Sequence, residues 1–451
     1  MSQGTAAVAT PGDRGAPENA AAPGPSDHSQ GAGNLPGALP TSGLDWACRL
    51  LWGDRPEMVV AHRRRRPPAG FRPAESYLVL PKAANPRLLV PLGAPRAAAA
   101  ALARNHDATS RRSRLVKAAL GVGVRLRVAQ RLLPDRVEVA VASGLPATER
   151  ATALLSDHLR EVFGRRDLEM AVILGPARLN RKPVLQLLSS EGEVLGYVKA
   201  AWNDLTRSLV RNEAAVLGRL DGETRNTFVA PRLLHHGPFG GLELLGASPL
   251  PNAVRPDQSQ VFDPPLPVIT EIARLGPVHA SALAAGDYWH GVRGRLVARE
   301  ALLPPGAHDP LKAVVDHVEA RHGATELRFG TWHGDFTPWN MARLDDGIFV
   351  WDWERSGPAP VGLDLLHFLF QSTCRFEGRN PARSVEICRE RTPGLLPLLD
   401  VPMSSEDALW SVYQMELLFR YEEAGLAGVL ERRSRIHQGI LEMFQSEMEA
   451  C

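Results

Sequence analysis

His333-Gly334-Asp335-Phe336-Thr337-Pro338-Trp339-Asn340, followed twelve residues later by Asp352-Trp353-Glu354, is the stretch on which the reading of this chain turns. Met341 to Leu344 has the pattern of a short strand, Asp345-Asp346-Gly347 that of a tight turn, and Ile348 to Trp351 that of an apolar return strand. Pairing about Asp346 sets Leu344 against Ile348 and Met341 against Trp351. Asn340 then stands opposite Asp352 at one end of the hairpin. Asp335 lies on the loop that enters it. Two hard oxygen ligands with a nearby carboxylate suit Mg²⁺-dependent phosphoryl transfer, with metal on the phosphates and a base on the acceptor hydroxyl. A lone aspartate in a loop reads as a turn cap; five residues at fixed spacing on a strand–turn–strand carry more.

A second pair of residues lies upstream. Lys199 ends the strand pattern Gly196-Tyr197-Val198-Lys199, and the chain has only five lysines. In the helix that follows, Leu205, Leu209, Val216 and Leu220 fall on one face, and Glu213 falls on that stripe too. A carboxylate on a buried stripe is costly unless a cation meets it, and Lys199 is the natural partner. Taken singly, the two also fit a snorkelling lysine and a glutamate at the solvent edge of a helix.

The pattern H-G-D-x4-N followed by D-W-E resembles the aminoglycoside phosphotransferase and choline kinase family, over roughly residues 166 to 450. The resemblance implies an α+β, bilobal protein kinase-like fold, with a small antiparallel β-rich N-lobe and a larger α-helical C-lobe. It implies ATP and Mg²⁺ as cofactors and phosphoryl transfer to a hydroxyl of a small molecule: sugar-like, aminoglycoside or amino alcohol, with a sugar-like compound favoured. By it, Asp335 is the catalytic base and His333 braces the catalytic loop. Asn340 and Asp352 hold the metal, Lys199 contacts the α/β-phosphates, and Glu213 orients Lys199. Asp364, in Gly362-Leu363-Asp364-Leu365-Leu366-His367, resembles the family's downstream aspartate and is expected to cap a helix and brace the loop from behind. The first N-lobe loop, Gly175 to Lys182, has one glycine and no G-x-G-x-x-G. That departs from true protein kinases, as do Asp-Trp-Glu in place of Asp-Phe-Gly and the lack of Ala-Pro-Glu. Arg178, Arg181 and Lys182 are candidates to cover the phosphates, and Leu245 to Ser248 falls where an interlobe hinge would meet adenine. A reading from a different class is a non-catalytic, nucleotide-binding scaffold that engages an acidic partner; retention of all five motif residues weighs against it.

At 451 residues, with 44% hydrophobic and 23% charged residues, the chain is long enough for two or three domains with sizeable cores. It has no 18-residue apolar run, so no membrane span is expected. The N-terminal segment lacks the basic-then-apolar order of a secretory signal. Four widely spaced cysteines without metal spacing fit a reducing cytoplasm. His235-His236 lacks companions at ligand spacing and reads as an edge pair. The net charge is only +2, but residues 61 to 136 hold 15 Arg and 2 Lys against Glu75, Asp107 and Asp135, a balance of +14. Such asymmetry calls for an acidic partner or for docking on the acidic remainder of the chain; nucleic acid is not the expected partner, and Arg63-Arg64-Arg65-Arg66 reads as a solvated basic loop.

The expected division has four parts. Residues 1–42 are a low-complexity tail expected to be disordered. Residues 43–165 form a basic α/β module, with strands at 76–80, 87–91 and 137–142 and helices at 94–104, near 110–120 and at 146–163, the last with its apolar stripe on Leu155, Leu159 and Val162. Its strand–strand–helix order suggests a cap or a degenerate copy of the N-lobe. Residues 166–247 form the kinase-like N-lobe, with strands at 170–174, 184–188, 194–200, 231–234 and 242–245. Residues 248–451 form a C-lobe in which helices dominate apart from the hairpin. Trp332, Trp339, Trp351 and Trp353 read as core or as acceptor-pocket lining. Glutamates in the last two helices, at 406–423 and 431–449, read as an attraction for a cationic acceptor or as a solvated face.

Overall fold

The computed structural model describes residues 43–450 apart from 54, 63–65, 105–118, 127, 129–132, 176–180, 251–262, 302, 304–308, 346, 378–379 and 424–430. The expected tail at 1–42, most of the basic helix near 110–120, three of the four arginines at 63–66, and Arg178 lie outside the described residues.

The architecture is α+β, as expected, and its largest element is one antiparallel sheet of nine strands. Four come from the N-terminal module: β1 (Met58–Ala61), β2 (Phe71–Lys82), β3 (Asn85–Pro91) and β4 (Arg136–Ala142). Five come from the N-lobe: β5 (Leu168–Ile173), β6 (Val184–Ser189), β7 (Val194–Ala201), β9 (Leu233–Phe239) and β10 (Leu242–Ala247). Their order is β1-β4-β2-β3-β5-β6-β7-β10-β9. The seam between module and lobe is the pairing of Leu88 with Ile173 and Leu89 with Val172. The fourth lobe strand runs later than its sequence pattern indicates. The sequence reading ends that strand at Leu234 with His235-His236 as an edge pair; the strand runs on through both and through Gly237-Pro238 at the sheet edge, where proline costs no ladder hydrogen bond.

Helices cover both faces. Tyr197, Lys199 and Ala201 point to one face of β7 and Gly196, Val198 and Ala200 to the other. On the Lys199 face, Ala94, just before helix α2 (Pro95–Arg104), and Ala97 and Ala101 on it pack against Ala171, Leu188 and Tyr197. Beside it, Val210 and Ala214 of helix α5 (Asp204–Leu220) pack on Ala201 and Leu245. The opposite face meets the module again. The expected helix at 146–163 breaks at Leu154 into α3 (Ala147–Ala153) and α4 (Leu155–Val162), and Phe163 then lies against Gly196 and Gly246. Leu155 and Leu159 are buried as expected, but Val162 is exposed. On α1 (Leu44–Trp52), the Trp46 ring lies edge-on to Trp202 and under the Arg181 guanidinium.

The C-lobe contains strands that its helical periodicity hides. β11 (His279–Ala282), β12 (Glu326–Trp332) and β15 (Gly357–Pro360) form a small sheet. The hairpin of β13 (Met341–Leu344) and β14 (Gly347–Val350) is joined in parallel by β8 (Phe228–Val229). Around them stand α6 (Leu266–Ala273), α7 (Asp287–Glu300), α8 (Pro310–His322), α9 (Leu363–Ser372), α10 (Pro381–Arg391), α11 (Glu406–Glu423) and α12 (Glu431–Ala450). α9 is buried on every side, and one continuous core runs from Val216 to Phe444. Among the described residues no helix is long and apolar enough to cross a membrane.

Candidate active site

The hairpin forms, but its register is one residue tighter than the sequence reading gives. Met341 pairs with Val350 and Leu344 with Gly347, so the turn is two residues long and Asn340 faces Trp351. The Trp351 N–H donates to the Asn340 carbonyl at 3.0 Å. A simple slip of this kind turns the next side chain to the opposite face. Asp352 lies just beyond the strand with φ of +72°, a left-handed backbone that a non-glycine residue adopts at a cost.

The loop before the hairpin is held from behind. Asp364, in the first turn of α9, accepts the backbone N–H groups of His333 at 2.7 Å and Gly334 at 3.1 Å. Burial outweighs those two bonds and raises the Asp364 pKa to about 7. Gly334 has φ of +84°, and a Cβ on it would sit 2.3 Å from the Arg355 carbonyl oxygen, so only glycine fits. His333 is fully buried. Its Nδ1 accepts the Asp335 N–H at 3.2 Å and its Nε2–H donates to the Trp351 carbonyl at 3.1 Å, tying loop to hairpin. That pattern uses the neutral ring, and burial lowers the His333 pKa to about 4.

Both oxygens of Asp335 are positioned. Oδ2 accepts Asn340 Nδ2–H at 2.8 Å, and the same amide reaches the Asp335 carbonyl at 2.9 Å. Oδ1 accepts from His367 Nε2 at 3.0 Å. An ionised carboxylate only accepts, so the proton sits on Nε2 and His367 Nδ1 accepts from the Tyr413 hydroxyl at 3.1 Å. Burial raises the Asp335 pKa, but the His367 hydrogen bond, with the charge of Arg420, brings it below the usual aspartate value.

Opposite lies a cluster of charges. Lys199 Nζ meets Glu213 Oε2 at 2.5 Å, Glu354 Oε2 at 3.3 Å, and Asp352 Oδ1. Glu213 is 3% exposed on the inner face of α5, as its place on the apolar stripe required. Burial lowers the Lys199 pKa, but Asp352, Glu213 and Glu354 together hold it well above an ordinary lysine. Lys182 pairs with Glu354 at 3.0 Å, and Asn212 of α5 donates to the carbonyls of Glu354 and Ser356. Glu354 falls far below the usual glutamate range: burial opposes the shift, and Lys182 and Lys199 overcome it. Burial raises Glu213 to about 7 despite Lys199, and it raises Asp352 too. Three carboxylates against two lysines leave surplus negative charge at one point, a donor set that fits a divalent cation.

Other sequence candidates resolve differently. Arg181 is buried, its guanidinium carbon 4.4 Å from the centre of the Trp46 ring. Leu245 to Ala247 belong to β10, and the Ser248 N–H donates to the Arg232 carbonyl. His236 pairs with Glu243 at the sheet edge. Trp353 is core, stacked on Phe228 and against His333, whereas Trp332 carries Arg420 on its face. The C-terminal glutamates are largely taken internally: Glu416 by Arg295 and Tyr288, Glu422 by Arg299 and His437, Glu423 by Arg355.

Sequence reasoning named Lys182 only as a phosphate-loop candidate, and it missed His367 and the pairing of Lys182 with Glu354. Two signals were present. His367 follows Asp364 by three positions, which puts both on one helix face. Lys182 is, like Lys199, one of only five lysines.

Comparison with known proteins places this geometry in context. Residues 270–388 match the model of the phosphotransferase enzyme family, APH. A comparison with curated proteins finds no match. Among solved structures, a thermostable mutant of aminoglycoside phosphotransferase APH(4)-Ia is similar at 13% identity and TM-score 0.43, over 64% of this chain and 99% of its own. Amicoumacin kinase hAmiN, in complex with AMP-PNP, Ca²⁺ and Ami, is similar at 10% identity and TM-score 0.41, over 62% and 88%. Glucosamine kinase, in complex with glucosamine, ADP and inorganic phosphate, is similar at 16% identity and TM-score 0.35, over 69% and 89%. The family match bears out the resemblance and the enzyme class it implies, a phosphotransferase, over the segment that holds His333 to Asp364.

Proposed function

We propose that this phosphotransferase moves the γ-phosphate of ATP to a hydroxyl of a small molecule, with Mg²⁺. The observation that carries the reading is the facing pair of devices: Asp335 with both carboxylate oxygens positioned, and a lysine–carboxylate cluster with surplus negative charge. Asn340 Oδ1 and Asp352 would hold Mg²⁺, which when bound would supply charge neutralisation on the phosphates.

The chain's own residues do the rest. Lys199, oriented by Glu213, turns from Asp352 to the α/β-phosphates. Glu354 stays with Lys182 and fixes the segment beyond the hairpin. Asp335 accepts the proton of the acceptor hydroxyl as the phosphoryl group leaves ADP in line. His367 and Asn340 keep that carboxylate ionised and aimed, and His333 and Asp364 keep the loop from moving. Residues 43–165 we read as a buttress that widens the N-lobe sheet and covers its outer face, rather than as an independent acceptor site.

The test is ATP turnover by the full chain with Mg²⁺ across a panel of hydroxyl compounds, beside Asp335→Asn. Acceptor-stimulated ADP release that disappears in the variant supports the reading. Nucleotide binding without turnover on any acceptor counts against it.

A further inference from the structure

Arg420 stands three residues before the end of α11 with its guanidinium carbon 4.7 Å from the centre of the Trp332 ring. It is half-buried, and among the described residues it makes no hydrogen bond and no ion pair. The neighbouring arginines contrast with it: Arg293, Arg295, Arg299 and Arg328 all meet carboxylates. A cation withdrawn from water without a direct ion pair is costly, so its persistence calls for a partner. Burial, and then the nearby charge of Arg355, lower the Arg420 pKa against the opposing charges of Glu416 and Asp335.

Arg420 and Arg355 line a cleft of about 530 Å³ between α5, α7 and α11, together with Trp332, Tyr288 and Asn212. A volume of that order holds a sugar-sized molecule. The cleft's acids do not serve Arg420. Glu354 is held by Lys182 and Lys199, and Glu416 by Arg295 and Tyr288. Asp287 is exposed at the start of α7. Arg355 keeps only a loose contact with Glu423, at 3.6 Å. Arg355 packs against Gly334, next to Asp335 in the loop, so the cleft adjoins the proposed base.

We infer that the acceptor carries an oxyanion, a carboxylate or a phosphate, which the Arg420 guanidinium grips with help from Arg355 while the acceptor hydroxyl faces Asp335. A guanidinium presents paired donors that match the two oxygens of such a group, and the Trp332 face holds its plane in place. The binding half of this inference stands on the cleft alone; the transfer half rests on the phosphotransferase reading above.

Four hexoses that share one ring separate the outcomes: glucose, glucosamine, glucuronate and glucose 6-phosphate. Binding to the full chain is measured by calorimetric titration, and turnover by ADP release, in the wild type, Arg420→Gln and Arg420→Lys, with melting curves for all three. We expect at least one anionic hexose to bind on the order of ten-fold tighter than glucose, and glucosamine to bind no better than glucose. Arg420→Gln should raise KM for the anionic acceptor by a similar factor and leave the KM for ATP little changed. Arg420→Lys, which keeps the charge without the fork, should fall between. Preference for glucosamine, or no saturable binding of either anion, overturns the inference. A rise in KM for ATP alone also overturns it, by assigning Arg420 to the nucleotide. Should Arg420→Gln fail to fold, the order of the four hexoses on the wild type and Arg420→Lys decides. Anion binding that needs Arg420 but gives no turnover keeps the oxyanion site and removes the phosphotransferase reading.

Discussion

At the scale of single residues, the loop from His333 to Asp335 tolerates little change. Gly334→Ala puts a methyl group into the Arg355 carbonyl at a left-handed backbone, and the loss should be about 3 kcal/mol or more, read from denaturant midpoints. His333 gives a pH signature. Its pKa is about 4 in the folded chain against an ordinary 6.5, so it is depressed on folding. The unfolded chain takes up that proton first as pH falls. Stability is therefore whole above pH 6.5 and declines toward pH 4, by about 3 kcal/mol when complete. His333→Gln should be less stable at neutral pH but lose that share of the acid dependence; an unchanged slope between those pH values would count against the neutral, buried imidazole. Asp335→Asn should cut turnover by on the order of 10²- to 10⁴-fold and leave ATP affinity nearly intact.

At the scale of elements, α5 is the device that ties the sheet to the hairpin. Its start is set by a capping box: the Asn203 side chain accepts the Thr206 N–H, and Thr206 Oγ1 accepts the Asn203 N–H. Its inner face then delivers Glu213 to Lys199. Lys199→Met leaves Glu213, Asp352 and Glu354 together without their shared cation and should cost about 3 kcal/mol. Adding Glu213→Leu should restore part of that loss, since it removes a buried charge that no longer has a mate. If the double variant melts below the single one, the cost does not arise from the unpaired carboxylate. The pairing of a lysine and a glutamate was legible from the sequence because burial of a carboxylate is expensive. The hairpin register was not, because Asp345-Asp346-Gly347 accommodates a two- or a three-residue turn and only the strand ends choose between them.

At the scale of the whole molecule, the sheet does not stop where the composition changes. Two residue pairs, Leu88–Ile173 and Leu89–Val172, carry it from the basic module into the N-lobe. Trp46 and Phe163 cover the lobe from the module side. A chain shortened to begin at residue 166 would expose the edge of β5 and the face under Phe163, and should aggregate or melt well below the full chain. Calorimetry on the full chain should show residues 43–247 melting together; a separate early transition for the module would contradict a shared sheet.

What the sequence determined by itself was local or costly to violate: the catalytic-loop spacing, the hairpin, the apolar stripe with its glutamate, and most strands and helices of the N-lobe. Those features follow from backbone periodicity and from the penalty on unpaired buried charge, which act over a few residues. Only the tertiary structure decided what meets across long separations. His367 reaches Asp335 through 32 positions, Lys182 reaches Glu354 through 172, and Arg420 comes to rest on Trp332 without an ion pair among the described residues. Such contacts depend on how elements pack, and a hydrogen bond or an ion pair leaves no periodic trace in the segments that make it.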